Sequence, residues 1–213
     1  MVENVTKLPF QPERVAISFQ LGDKLIDSAS VKQLMFQAFT EHIAEAQTLR
    51  QPKTWEGRLK RVRMVRQVTY YANGVQVPVT MADILSMPIP AARTIDKALG
   101  NIEEGTPGKV IREGDGIDKA IVFELGTPIP TGQGKPPIRE LEFLAKTYGD
   151  IEDVLSAADS VQQTKYMIET LAKPLDSSLS ALPSWGLTQI TIADGMTMLR
   201  DVLPHFLGSP VES

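Results

Sequence analysis

The chain has 213 residues, 42% hydrophobic and 23% charged, an ordinary globular composition that argues against wholesale disorder and leaves room for one large or two small domains. It contains no cysteine, which excludes a disulfide framework, a thiolate metal site and a cysteine nucleophile together. The net charge of −4 divides unevenly: residues 1–106 hold 13 Lys/Arg against 11 Asp/Glu and residues 107–213 hold 9 against 15, so the halves carry opposite signs that favour attraction between lobes or between copies.

Residues 1–12, with Pro9 and Pro12, read as an arm. The next stretch, AISFQLG (Ala16–Gly22), returns as AIVFELG (Ala120–Gly126). Five of seven positions are identical and the two that differ alternate with shared Ile, Phe and Leu, the period of a strand. A second echo, SVKQLMF (Ser30–Phe36) against PIRELEF (Pro137–Phe143), pairs Val31 with Ile138, Leu34 with Leu141 and Phe36 with Phe143. Each phrase and its echo therefore read as a hairpin, with Gly22–Ser30 and Thr127–Pro137 as loops. Two echoes in one order point to an internal duplication with a repeat of roughly 105 residues.

Helical patterns follow the first hairpin. Ala38, Phe39, Ile43, Ala46 and Leu49 recur at three- and four-residue spacing. Thr54 is placed to cap a second helix over Trp55–Tyr71, Asn73-Gly74 reads as a turn, and Thr80 as the cap of a short helix. A helix over Ala91–Leu99 is expected to stop at Gly100. In the second half the spacing predicts helices over Tyr148–Ala157 and Ser160–Leu171, a break at Lys173-Pro174, a helix from Ser184 to about Ile190, and a last helix over Ala193–Leu207. The expected class is α+β, with two related lobes (13–100 and 119–208), a glycine-rich linker over 101–118 and a tail over 209–213. Each lobe is a hairpin or small antiparallel sheet packed against several short helices.

The search for chemistry finds no catalytic, metal or cofactor residues. His42 and His205 lie on amphipathic helices away from any nucleophile, and read as surface or packing residues. Gly132-Gln133-Gly134-Lys135 fails as a phosphate loop because Ile129 and Pro136 stand where glycine and Ser/Thr are required. Glu113–Asp118 lacks the remaining ligands of a calcium loop and reads as a turn. Trp55 and Trp185 read as core anchors. What remains is charge. Arg58, Lys60, Arg61, Arg63 and Arg66 crowd one helix, and no acidic residue occurs between Gly57 and Ala82. These cations suit an acidic protein surface, a merely solvated face or, alternatively, nucleic acid, with Tyr70 or Tyr71 to stack on a base. Asp150, Glu152 and Asp153 sit at a helix start, where they suit the dipole and stand as acidic counterparts for a partner contact.

From about Ala120 the chain resembles the tail assembly chaperone family of Mu-like contractile-tailed phages. The resemblance runs through the strand pair AIVFELG and IRELEF, the short helices after it, and a last helix with Asp194 near its start and Phe206-Leu207 at its end. It implies a non-enzymatic protein of tail or baseplate assembly, without catalytic residues or cofactors. It acts on other tail proteins in the host cytoplasm or is retained in the virion, and further copies of itself are candidate partners. No apolar run approaches the about 18 residues a membrane helix needs, and no secretion signal opens the chain, so membrane partners are not expected.

Overall fold

In the computed structural model the described residues are 13–101, 105–113, 120–132, 135–175 and 179–207. They form an α+β fold with two four-stranded antiparallel sheets, each accompanied by several short helices. The chain divides into two compact units, Met1–Leu34 with Glu41–Glu103, and Met35–Thr40 with Glu104–Ser213. The expected arm, the tail, the turn over 114–118 and the loop tip at Gln133-Gly134 lie outside the described residues.

In the first unit β1 (Glu13–Leu21) returns as β2 (Lys24–Val31) across Gly22-Asp23. The expected return at Val31–Phe36 is wrong, because a two-residue Gly-Asp turn is shorter and better matched to strand twist than a nine-residue loop. Phe36 instead begins α1 (Phe36–Thr48). Next, α2 (Trp55–Arg66) stops earlier than its apolar spacing suggests. Val68–Ala72, rich in β-branched and aromatic residues, pairs with β2 as β3, so sheet pairing overrides the helical period. The Asn73-Gly74 turn, with φ of 50° and 78°, then leads into β4 (Val75–Val77). After α3 (Met81–Ser86), α4 (Ile89–Asn101) lays Ala91, Ile95, Ala98 and Leu99 over Ile17, Phe19, Ile26 and Tyr70. The buried Tyr70 hydroxyl donates to the Met64 carbonyl at 2.9 Å and its ring meets Phe19 edge-on, so its polar end is satisfied inside the core.

The second unit begins its sheet with β5 (Lys109–Glu113), inside the stretch expected to be a linker. Its exposed, charged residues conceal it from hydrophobic patterning, since an edge strand needs only one neighbour, here β6 (Ile121–Ile129). β7 (Ile138–Phe143) follows, then α5 (Tyr148–Ser156) and α6 (Ser160–Leu171). The expected break at Lys173-Pro174 is β8 (Ala172–Pro174), with its proline on a sheet edge where no N–H is needed. α7 (Ser184–Leu187) precedes α8 (Ile192–Asp201) and α9 (Pro204–Leu207). The single last helix expected from the spacing is thus two, because Pro204 cannot donate the bond that would continue it. Phe36 belongs to this unit's core, and its N–H donates to the Ile190 carbonyl at 2.9 Å.

The order strand, strand, helix, helix, strand occurs twice along the chain: β1-β2-α1-α2-β3 and β6-β7-α5-α6-β8. Both copies of the repeated phrase are the first strand of that order. Unit one adds β4 after it and unit two adds β5 before it, so the phrase lies on an edge in β1 and in the interior in β6. The faces differ too: Ser18 is exposed, whereas Val122 is 1% exposed on a strand covered on both faces.

Candidate functional site

The basic helix α2 starts at Thr54, whose hydroxyl accepts from the Gly57 N–H at 3.3 Å, and Glu56 adds a favourable charge in the first turn. Its cations are drawn into the unit. Arg58 donates to the Pro52 and Lys53 carbonyls and lies 5.8 Å over the Trp55 ring; Arg61 donates to the Gln51 carbonyl at 3.0 Å. Arg63 reaches the Gln67 side chain and the Leu99 carbonyl, holding the end of α4. Arg66 forks onto Glu45 with two 3.0 Å bonds, and Lys60 meets Asp96 at 2.6 Å. Surface pairs of this kind contribute about 0–1 kcal/mol each, so they orient side chains more than they hold the fold. Carbonyls satisfy N–H groups without cancelling charge, so Arg58 and Arg61 keep theirs.

Beside this helix an open groove of about 300 Å³ runs between α2 and α4. Trp55, Leu59 and Leu99 give it an apolar floor, and two cations, Lys60 and Arg63, and two carboxylates, Glu56 and Asp96, stand at its sides. Trp55 was expected in the core and is half-buried here. Gly100 also lines the groove. Contrary to the expected glycine stop, it lies within α4 without positive φ. Among the described residues a Cβ on it would meet nothing within 4 Å. The sequence reading missed Asp96, Leu99 and Gly100 because a groove between two helices has no local signature.

The second set of candidates lies on α5. Asp150 accepts from the N–H groups of Lys146 and Thr147, both at 2.8 Å, and these bonds hold its carboxyl below the usual range. It is a helix cap. Glu152 and Asp153 are exposed, and on the same helix Tyr148 and Leu155 also face solvent. Trp185, expected as a core anchor, is instead 44% exposed on α7, a four-residue helix that turns Gly186 inward.

Asp194, in the first turn of α8, is fully buried. Its carboxylate accepts from the Gly126 N–H and the Thr191 hydroxyl, both at 2.9 Å, and the backbone dipoles of Thr127 and Gly108 also favour its charge. Burial pushes the carboxyl up and those donors pull it back, leaving it above the ordinary range. The same Thr-x-x-Asp arrangement caps α3 at the surface through Thr80 and Asp83.

His42, on α1, is 7% exposed, and its Nδ1 has no hydrogen-bond partner among the described residues. Burial pushes its pKa down; Glu45 and Glu41 oppose this, while Arg63 and Arg66 add to it. A histidine held neutral in the fold binds fewer protons than in the unfolded chain, so its contribution to stability, complete above about 6.5, is lost as pH falls from there through its lower folded pKa. The urea midpoint is expected to drop across that window and the drop to shrink in His42→Leu. An equal drop in the variant would assign it elsewhere. Asp83 and Asp150, both held low, lose their contribution only in the more acidic carboxylate range.

Among the described residues no group of three or more His, Asp or Glu is placed to hold a metal ion, and no helix is long and apolar enough to cross a membrane. Compared with family models, curated proteins and solved structures, the chain matches none.

Proposed function

We propose that this chain is a non-enzymatic protein of phage tail morphogenesis that works through protein–protein contacts in the host cytoplasm, its partners being other tail or baseplate proteins. The observation that carries the contact reading is the α2–α4 groove, an apolar floor left open to solvent beside a helix with an excess of positive charge. Other exposed apolar side chains support it, among them Leu85 and Ile89 at 66% and 67% exposed. The tail assignment rests on the resemblance of residues 120–208. Asp194, one of the residues that carry it, has a structural task in the fold.

The test is the location of the protein during infection. Presence in lysates and absence from purified particles, with headed but tailless particles when its gene is deleted, is the expected result. A fixed copy number in particles makes it a resident tail or baseplate component. Retention on DNA at low salt that Arg61→Glu abolishes, with tails still formed, replaces the reading with a nucleic-acid adaptor.

A further inference from the structure

We infer that two copies of this chain pair through β1, edge to edge and antiparallel about a two-fold axis, joining their four-stranded sheets into one of eight strands. The inference goes beyond the tail reading and does not depend on it.

The first observation is how this edge is built. A row of unpaired N–H and C=O groups invites another strand, so sheet edges are ordinarily guarded by shortness, charge, proline or a bulge. Three of the four edges among the described residues are well guarded. β4 has three residues, β8 has three and ends in Pro174, and β5 has five, among them Lys109, Arg112 and Glu113. β1 has nine, and from Val15 to Leu21 it holds neither charge nor proline. Along that run its one guard is the bulge between Ala16 and Phe19. Among the described residues no strand pairs with its outer side.

The second observation is β6, the other copy of the phrase. Its corresponding side is taken by β5, with Val110 opposite Phe123 and Glu113 opposite Ile121. Phe19 and Ile17 hold the matching places in β1, so the phrase accommodates a neighbour on both sides.

The pattern of the strand selects a second copy as that neighbour. From Val15 to Leu21 the odd positions are apolar and buried or half-buried, while Ala16, Ser18 and Gln20 are small or neutral and exposed. That order reads alike in both directions, so the strand complements itself when run antiparallel. Centred on Ser18, the pairing sets Ile17 against Phe19 of the second copy and Val15 against its Leu21, and no like charges face each other along this run. A slip of one residue would turn the apolar side chains to opposite faces, which fixes the register. Ile17 and Phe19 lie beneath α4, so the two-fold puts both α4 helices on one face of the joined sheet. Such an isologous contact closes after two copies.

The test is sedimentation equilibrium of the full chain, expected to show a concentration-dependent doubling of mass in the micromolar range. Ser18→Lys sets two lysines face to face at the centre of the seam and should weaken association at least about tenfold, with the urea midpoint of the monomer unchanged because Ser18 is exposed. Ser18→Glu should do the same alone, and an equimolar mixture of the two variants should recover a dimer, which also shows that both are folded. Hydrogen exchange should slow, as concentration rises, at the β1 amides that face away from β2.

A dimer that Ser18→Lys leaves intact, or a mixture of the two variants that stays monomeric, overturns the inference. So does a parent chain monomeric at every concentration: outward β1 amides already protected would then put another segment of the same chain on the edge, and freely exchanging ones would leave it to a different protein. Purified chain suffices for these measurements, so their outcome leaves the tail assignment to the infection experiment.

Discussion

Asp194→Ala is expected to destabilise the second unit by about 3–5 kcal/mol, a large share of a domain's total of about 5–15. The substitution leaves the Gly126 N–H and the Thr191 hydroxyl beside a void with no acceptor, and removes the charge that the Thr127 and Gly108 backbone dipoles favour. These donors come from the start of α8 and from β6, so one carboxylate ties together two segments far apart in sequence. Asp194→Asn should recover only part of the loss. It restores one oxygen but aims an amide NH₂ at a site made of donors, at a cost of about 2 kcal/mol. Urea unfolding of the two variants and the parent measures both. An asparagine variant as stable as the parent would show that the site does not require the ionised form. Because burial raises this carboxyl, ionising it weighs against the fold as pH climbs through the carboxylate range, opposite in sense to the low-held Asp83 and Asp150.

Gly126→Ala is expected to cost about 3 kcal/mol, whereas Gly22→Ala costs about 1. Both glycines close a copy of the repeated phrase, for different physical reasons. A Cβ on Gly126 would collide with the Thr106 carbonyl and with Pro107, both main-chain atoms that cannot rotate away. The same shift would draw the Gly126 N–H off Asp194. Gly22 has open space around it, and its φ of 59° alone resists a side chain. Gly22→Asn, which tolerates that conformation, should therefore be nearly neutral, while Gly126→Asn should be as damaging as alanine or worse. Thermal unfolding of the four variants separates the two explanations. Equal losses at both positions would refute the difference.

Much of this architecture is legible in the residues themselves. The alternation in AISFQLG and AIVFELG marks strands and points their Ile and Phe inward: Ile17, Phe19, Ile121 and Phe123 are all buried. The spacing over Ser160–Leu171 gives α6 to the residue, the Asn73-Gly74 pair gives a hairpin turn, and Thr54 and Thr80 cap their helices. The likeness of SVKQLMF to PIRELEF misleads. Only the second is a strand; the first is the end of β2, a loop and the start of α1. The candidate site divides in the same way. The cations of α2 are visible in the chain, but their internal partners and the groove beside them depend on α1, α4 and the loop at 51–53.

Three Thr-x-x-Asp phrases show where sequence stops. Thr80/Asp83, Thr147/Asp150 and Thr191/Asp194 each specify a helix start, because a hydroxyl and a carboxylate three residues apart meet the first N–H groups of a helix whatever lies beyond it. Sequence determines that much, along with strand period, turn chemistry and the α+β class, since all are set by neighbours a few residues away. The tertiary structure decides that the first two caps stay at the surface while the third is sealed under β5 and β6. It also decides that one copy of a repeated phrase is an edge strand and the other an interior one. Those outcomes depend on which distant segment covers a face or pairs with an edge, and local propensity carries no record of that choice.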